Sequence, residues 1–388
     1  MKKKLIICCI FLFIIKPVFS QNPNYLSNEK IQELDKDSVS KQYPIISWQY
    51  SYIGEYKKSL KAFDKYYKVS NQSFNYQDIK IISPYTTQKA KNFIIEKAAK
   101  ERIVMINEAH HQPMHRVFTE SLLEDFYKNG FRFLALEALV SDSKINESKV
   151  LTLNDGYYTK EPQFGNLINK ALSFGYYVFG YEYTDDDISR ELGQAKNIYR
   201  MMQENSEGKF LIHCGFGHLV EENHISGRTT MAQHLKSLTR INPLTIDQVM
   251  FSEHSDKEAE HPLYSDIVVD FSTILSDLEG QELNLNRSFS MVDLRVIHPR
   301  TRFKEGRPDW LYRDGLWESH YVDFSNLSVD YPCRIFAYKQ DTFSLENVPI
   351  DIIEVDSPNH KALILPKGKF ALYIIDNKNN TNIVKVDI

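Results

Sequence analysis

The segment that decides the fold is "RIVMINEAHHQPMHR", residues 102–116, where a short apolar run ends in charged and imidazole side chains. The apolar run does not alternate with polar residues, as expected of a strand that is buried on both faces. A carboxylate and three of the twelve histidines follow at once: Glu108, His110, His111 and His115. Pro113 suits the first turn of a helix. The segment therefore predicts a buried strand, a turn rich in reactive side chains, and a helix.

Three later segments repeat this pattern: "FRFLALEAL" (131–139), "YYVFGYEY" (176–183) and "KFLIHCGFGHL" (209–219). Segments with helical spacing lie between them. Four strand–helix units in a row predict an α/β fold, with a mostly parallel sheet and helices on both faces. Weaker candidates for further strands are "LTIDQVMF" (244–251), "DIVVDF" (266–271) and "SMVDLRVI" (290–297).

The first twenty residues have the pattern of a secretory signal peptide. A lysine-rich start precedes an eleven-residue apolar run, Leu5–Ile15, and Val18 and Ser20 precede the expected cut. The run is short for a membrane span, and no lipid-attachment cysteine stands at the cut. We therefore expect a secreted or periplasmic protein, with no transmembrane segment after cleavage.

The remaining chain divides into three regions by pattern. Residues 21–80 are polar with helical spacing, including one expected helix in "SWQYSYIGEYKKSLKAFDKYY" (47–67). Residues 81–329 carry the strand–helix units. From 330 to 388, strand-like segments recur about every ten residues, and they predict a β-sandwich-like module. These segments are "CRIFAYKQ", "PIDIIEVD", "KALILP", "KFALYIID" and "NIVKVDI".

Charge and cysteine content narrow the function classes. The formal charge of −4 becomes −8 when the four lysines of residues 1–20 are removed. An acidic chain argues against nucleic acid as a partner. Only Cys214 and Cys333 lie beyond the signal segment, so the protein is not a disulfide scaffold. Nothing in the sequence indicates the oligomeric state.

Reactive side chains end all four strands. Glu108, with His110 and His111, ends the first; Glu137, Glu182 and His218 end the next three. Parallel sheets bind ligands beyond the carboxyl ends of their strands. One reading is a divalent metal site made of Glu108, His110, Glu137 and His218. The other is metal-free, with His110 or His111 as general base on water. The spacing does not choose between them.

These motifs resemble three protein groups of one superfamily. "NEAHHQPMH" is similar to the first motif of the ChaN-type haem-binding proteins, through Glu108, His110, Pro113 and His115. It also resembles the Glu-x-x-His motif of the erythromycin esterase family, through Glu108 and His111. Glu137 fits a second glutamate of both groups, and "GYEY" (180–183) a later esterase motif. His218 in "GFGHL" fits the Gly-x-x-His motif of the Tiki and TraB proteases.

The resemblance covers about residues 95–240, with the motifs in order. Asn107 departs from it, since these families usually have glycine there. The resemblance implies an exported hydrolase that cleaves an ester, lactone or peptide bond, with Glu108, His110 or His111, Glu137 and His218 as catalytic residues. It implies as the alternative an extracytoplasmic haem or iron carrier with His110 or His115 as axial ligand. A third reading is an envelope protein with a vestigial site.

A local basic cluster offers a place for an anionic group. "RVIHPRTRFKEGRPDWLYRDGLW" (295–317) interleaves arginines with tryptophans, and arginine binds carboxylates and phosphates through paired hydrogen bonds. It would hold substrate or haem propionates, or else be a salt-bridged loop between domains. The residues expected to bind substrate are His115, Arg116, Glu182, Arg300 and Arg307.

We predict that the exported protein begins at or near Gln21, because Val18 and Ser20 supply the small residues expected before a signal-peptidase cut. N-terminal sequencing of protein recovered outside the cytoplasm checks this. Recovery of chains that still begin with Met1 would contradict it.

Overall fold

A computed structural model of the chain describes residues 24–37, 42–70, 84–222, 227–281 and 292–388. The expected signal peptide lies outside these residues. No helix among the residues described is long and apolar enough to cross a membrane. The helices are α1 Asn28–Asp37, α2 Tyr43–Tyr52, α3 Tyr56–Ser70, α4 Ala90–Ala98, α5 Met114–Lys128, α6 Ile145–Ser148, α7 Pro162–Phe174, α8 Arg190–Glu204, α9 Met231–Thr239 and α10 Pro262–Asp266. Short 3₁₀ helices span Tyr158–Lys160, Phe216–Leu219, Lys257–Ala259 and Asp309–Gly315.

The strands form one parallel sheet and several antiparallel ones. They are β1 Thr86–Lys89, β2 Ile103–Glu108, β3 Phe131–Leu136, β4 Tyr177–Gly180, β5 Lys209–Gly215, β6 Leu244–Asp247, β7 Thr273–Ser276, β8 Leu294–Arg295, β9 Phe303–Lys304, β10 Arg307–Pro308, β11 Glu318–His320, β12 Cys333–Lys339, β13 Asp351–Val355, β14 Leu363–Leu365, β15 Lys369–Asp376 and β16 Thr381–Asp387. The parallel sheet has the order β4-β3-β5-β2-β6-β8. This arrangement confirms the predicted α/β fold.

Both faces of the parallel sheet are covered by helices. Every residue of β2 is buried. Val104 and Ile106 belong to a core shared with α4, α5 and α7, whereas Ile103 and Met105 belong to a second core with α8 and α9. Successive side chains of a strand point to opposite faces. The non-alternating apolar run therefore reflects a strand between two helical layers, as predicted.

The strand order differs from the chain order at one point that shapes the site. β5 lies between β2 and β3, with Glu108 opposite Gly215 and Leu136 opposite His213. Glu137 directly follows Leu136, so Glu108 and Glu137 flank the end of β5.

Two of the three weaker strand predictions are confirmed, since β6 and β8 extend the parallel sheet. The prediction of a strand at "DIVVDF" is wrong. That segment has no strand, and the strand β7 follows it and pairs antiparallel with β1. Val268, in the expected strand, is 90% exposed. Apolar composition alone does not form a strand, because a strand also needs a neighbouring strand with which to pair.

The single helix expected across residues 47–67 is two helices, α2 and α3. Gly54 lies between them with φ +74°, and a Cβ there would lie 2.8 Å from the Ile352 carbonyl oxygen. The break between α2 and α3 therefore requires glycine, because the backbone is left-handed there and lies close to β13.

All five strands predicted after residue 330 are present. Four form the antiparallel sheet β13-β12-β15-β16, and β14 pairs with β11. In β12, Ile335 and Ala337 face a core shared with β14, whereas Phe336 and Tyr338 belong to the core of the α/β part. The sheet thus packs directly against the preceding region. The domain boundary at about residue 330 stays a prediction.

A buried ion pair joins the two parts. Arg307 Nη2 donates to Asp351 Oδ1 at 2.6 Å, and each residue is 1% exposed. Arg307 Nη1 also donates to the Ile352 carbonyl oxygen at 3.3 Å. These contacts account for Arg307 as a structural residue; none of them supports the substrate role expected from the sequence.

We predict that Arg307→Ala lowers the free energy of unfolding by about 3–5 kcal/mol, because it leaves the Asp351 carboxylate buried without its partner. Arg302→Ala is the matched control, since Arg302 and its partner Asp270 are 73% and 78% exposed. Such a surface pair contributes about 0–1 kcal/mol. Denaturant unfolding measures both values, and equal losses would show that burial of the pair is unimportant.

Candidate functional site

The centre of the site is a fully buried ion pair at the end of β2. Arg116 Nε donates to Glu108 Oε2 at 2.6 Å, and Nη2 donates to Oε1 at 2.7 Å. Arg116 Nη1 reaches Glu161 Oε2 at 3.0 Å. Burial opposes ionisation of Glu108, but the Arg116 guanidinium outweighs it and holds the pKa of Glu108 well below its ordinary value. Glu108 is therefore an anion of fixed orientation.

Glu108 in turn orients His110. His110 Nδ1 lies 2.8 Å from Glu108 Oε1. Because an ionised carboxylate only accepts hydrogen bonds, Nδ1 carries a proton, and in the neutral ring Nε2 keeps its lone pair. Tyr158 stacks on the imidazole with ring centroids 4.0 Å apart, and Phe216 and Trp48 contact it edge-on at 5.1 and 6.2 Å. The imidazole is thus held on several sides.

Gly215 allows His110 to approach Glu137. A Cβ on Gly215 would lie 2.6 Å from His110 Nε2 and 3.1 Å from Glu137 Oε2. Glu137 Oε2 also accepts from the Gly215 backbone N–H at 2.6 Å. The Nε2 end of His110 and the Glu137 carboxylate therefore both lie close to a glycine that no other residue replaces without displacement.

His218 completes the site from the exit of β5. Its Nδ1 lies 2.8 Å from Glu191 Oε2, and its Nε2 lies 3.5 Å from Glu137 Oε1. Burial alone would lower its pKa, but the two carboxylates outweigh burial and raise the pKa of His218 to about 9. At neutral pH His218 is therefore a cation beside Glu137.

Arg190 adds a second cation. It begins α8, and its guanidinium donates to Glu137 Oε1 at 2.7 Å and from Nε to Glu182 Oε1 at 2.8 Å. Arg190 Nη1 lies 3.2 Å from His218 Nε2. Glu182 thus enters the site through Arg190. Arg190 thus joins Glu137, Glu182 and His218, and both Glu137 and the Glu108–His110 pair lie at the end of β5.

His111 and His115 do not join this cluster. His111 stacks on Phe63 with centroids 3.6 Å apart and is 2% exposed. His115 is fully buried, and its Nδ1 accepts from the Ala109 backbone N–H at 3.0 Å. Arg116 is also fully buried. These positions favour orienting roles for His115 and Arg116 over the substrate contact expected from the sequence.

Asn107, which departs from the resemblance, holds strand ends together. Its side-chain amide donates to Asp247 Oδ1 at 2.7 Å and to the Phe216 carbonyl at 2.8 Å, and its Oδ1 accepts from the Gln248 N–H at 2.8 Å. The asparagine therefore ties β2 to the ends of β5 and β6, directly behind Glu108.

Arg300 is also engaged elsewhere. It makes two hydrogen bonds of 2.7 Å to Glu260, with a side chain that is 41% exposed. In both Arg300 and Arg307 the guanidinium is paired with a protein carboxylate. This pairing agrees with the alternative that residues 295–317 form a salt-bridged loop.

The site does not fit a metal ion. Both oxygens of Glu108 accept from Arg116, and those of Glu137 accept from Arg190 and Gly215. His110 Nε2 is the ligand atom left over. Among the described residues no group of three or more His, Cys, Asp or Glu side chains could hold a metal ion.

A haem ligand is also hard to accommodate. His115 Nδ1 accepts a hydrogen bond, so its proton is on Nε2, and the ring is fully buried. Around His110, Tyr158 covers one face and Gly215 and Glu137 stand at Nε2.

Sequence reasoning missed four residues of the site: Trp48, Tyr158, Arg190 and Glu191. Trp48 and Tyr158 come from segments without a motif. Arg190 and Glu191 carried a usable signal, because Ser189 caps α8 and the first turn of a helix that follows a parallel strand lies at the ligand-binding edge.

No protein-family model and no curated protein matches this sequence. Several solved structures share a distant likeness. The type III effector HopBA1 is 12% identical over 57% of this chain and 99% of its own, with a TM-score of 0.36. ChaN of Campylobacter jejuni, solved with cofacially bound haem, is 12% identical over 53% and 91%, with a TM-score of 0.28. RRSP, a MARTX toxin effector domain from Vibrio vulnificus, is 14% identical over 56% and 45%, with a TM-score of 0.28.

We predict that the raised pKa of His218 makes the protein less stable in alkali. The stabilisation is complete below about pH 6.5 and is lost as pH rises through about 9, a difference of roughly 3 kcal/mol for this group. His218→Gln should therefore show a flatter dependence of unfolding free energy between pH 7 and 9.5. His320→Gln is the control, because burial lowers the pKa of His320 and it stays neutral over this range. Parallel curves for parent and His218→Gln would refute the assignment.

Proposed function

We propose that this protein is a hydrolase that activates water with the His110–Glu108 pair and needs no metal ion. The observation that carries the proposal is the hydrogen bond of 2.8 Å between His110 Nδ1 and a Glu108 carboxylate held ionised by Arg116. A carboxylate that fixes the tautomer and orientation of an imidazole is the recurring arrangement of a histidine general base.

In the proposed reaction, His110 Nε2 takes a proton from water as the water oxygen bonds to the substrate carbonyl carbon. Glu108 stabilises the imidazolium that forms. The protonated His110 then gives its proton to the leaving group as the carbonyl–leaving group bond breaks. The cations His218 and Arg190 favour negative charge that develops nearby. The ester, lactone and peptide bonds remain alternative targets, in a small molecule or a peptide.

The resemblance seen in the sequence supports the same proposal, namely an exported relative of the erythromycin esterase, ChaN and Tiki group. Within it, the contacts favour the pairing of Glu108 with His110 over the pairing with His111. His111 Nε2 faces Gln112 at 3.4 Å, and its ring lies against Phe63. Haem carriage stays a prediction that none of these contacts favours.

We predict that His110→Gln lowers hydrolysis by about 10²–10⁴-fold, since a positioned general base contributes about that factor. His111→Gln is the matched control and should keep activity within about tenfold. A panel of p-nitrophenyl esters, lactones and a labelled peptide mixture measures both, and circular dichroism confirms folding.

Loss of activity in His111→Gln with His110→Gln unaffected would reverse the assignment of the base. A parent protein that hydrolyses nothing in the panel, and that shows a Soret shift on titration with haem which His110→Gln abolishes, would replace the hydrolase by the haem carrier.

A further inference from the structure

We propose that Tyr158 is a further catalytic residue of this site, whose hydroxyl donates a hydrogen bond to the substrate carbonyl oxygen as that oxygen gains negative charge. This inference rests on the proposed hydrolase function and deepens it. It concerns the segment between β3 and α7, which carries no motif.

The ring of Tyr158 has a fixed place beside the general base. It stacks on the His110 imidazole with centroids 4.0 Å apart and planes 14° apart. Trp48 meets it edge-on at 5.0 Å with an interplanar angle of 89°. Tyr158 begins a short 3₁₀ helix, Tyr158–Lys160, whose next residue Glu161 binds Arg116. The tyrosine is therefore positioned by the same ion pair that positions Glu108.

The hydroxyl of Tyr158 has no protein partner among the described residues, and it is not sealed from solvent. Two other buried tyrosines, Tyr52 and Tyr181, use their hydroxyls within the protein. Tyr52 donates to the Tyr157 carbonyl at 3.0 Å, and Tyr181 donates to the His213 carbonyl at 3.0 Å. A half-buried phenol stacked on a catalytic imidazole, with its donor unused by the protein, is available to a substrate.

The surroundings keep this phenol protonated. Burial, together with the negative charges of Glu137 and Glu108, raises the pKa of Tyr158 above its ordinary value. A phenol that cannot ionise remains a hydrogen-bond donor across the working pH range, which is the property an oxyanion requires. Tyr158 keeps its proton throughout: the water proton passes to His110 and from there to the leaving group.

The test compares two neighbouring tyrosines. Tyr158→Phe keeps the stacked ring and removes the donor. Tyr157→Phe is the matched control, because Tyr157 also contacts Trp48, at 5.8 Å, while its hydroxyl accepts from Gln49 at 3.4 Å. Removal of one oxyanion donor costs about 10²–10³-fold in kcat. We expect that loss in Tyr158→Phe with KM little changed, and no comparable loss in Tyr157→Phe.

A third variant separates the hydroxyl from the ring. If Tyr158→Phe is as active as the parent while Tyr158→Leu is not, then the ring only positions His110 and the proposal is wrong. A loss confined to KM in Tyr158→Phe would likewise overturn a role in the transition state.

Binding of phenylphosphonate, a tetrahedral oxyanion, gives a readout that does not need turnover. Calorimetry should show at least tenfold weaker binding to Tyr158→Phe than to the parent or Tyr157→Phe. If the parent hydrolyses nothing but binds phenylphosphonate through the Tyr158 hydroxyl, the proposed function fails and the oxyanion site stands. Equal binding by all three proteins, or no binding by the parent together with no hydrolysis, overturns the Tyr158 proposal.

Discussion

The buried pair of Glu108 and Arg116 is the interaction on which the rest of the site depends. A carboxylate at the end of a strand buried on both faces is costly unless a charged partner accompanies it. Arg116 supplies that partner from the first turn of α5 with two parallel hydrogen bonds, and it extends to Glu161 at the start of α7. One guanidinium therefore fixes a strand, the turn after it and two helices relative to one another.

The environments of the histidines differ because their neighbours differ. His213, two residues before the end of β5, places its Nε2 3.6 Å from Glu108 Oε2, and burial lowers its pKa to about 4. His218 lies between two carboxylates, and its pKa is raised to about 9. Two imidazoles from the same end of β5 thus differ in charge at neutral pH, since His213 is neutral and His218 is a cation.

Segments outside the strand–helix units contribute as much to the site as the motifs do. Trp48 comes from α2, and Tyr158 from the segment before α7, and both contact His110. The C-terminal sheet packs on the same core through Phe336 and Tyr338. The helical hairpin, whose role the sequence did not indicate, therefore forms part of the wall around the imidazole.

The sequence by itself determined the strand–helix alternation, because a strand between two helical layers must be apolar throughout. It also determined which residues stand at the strand ends, because a carboxylate there is costly unless it has a charged partner. It did not determine that β5 enters between β2 and β3. Strand order follows from which pairings are most stable in the assembled sheet, and local periodicity does not record this. Only that order brings Gly215 between His110 and Glu137. Tertiary structure likewise places His110, and not His111, against Glu108, because adjacent residues of one turn point in different directions.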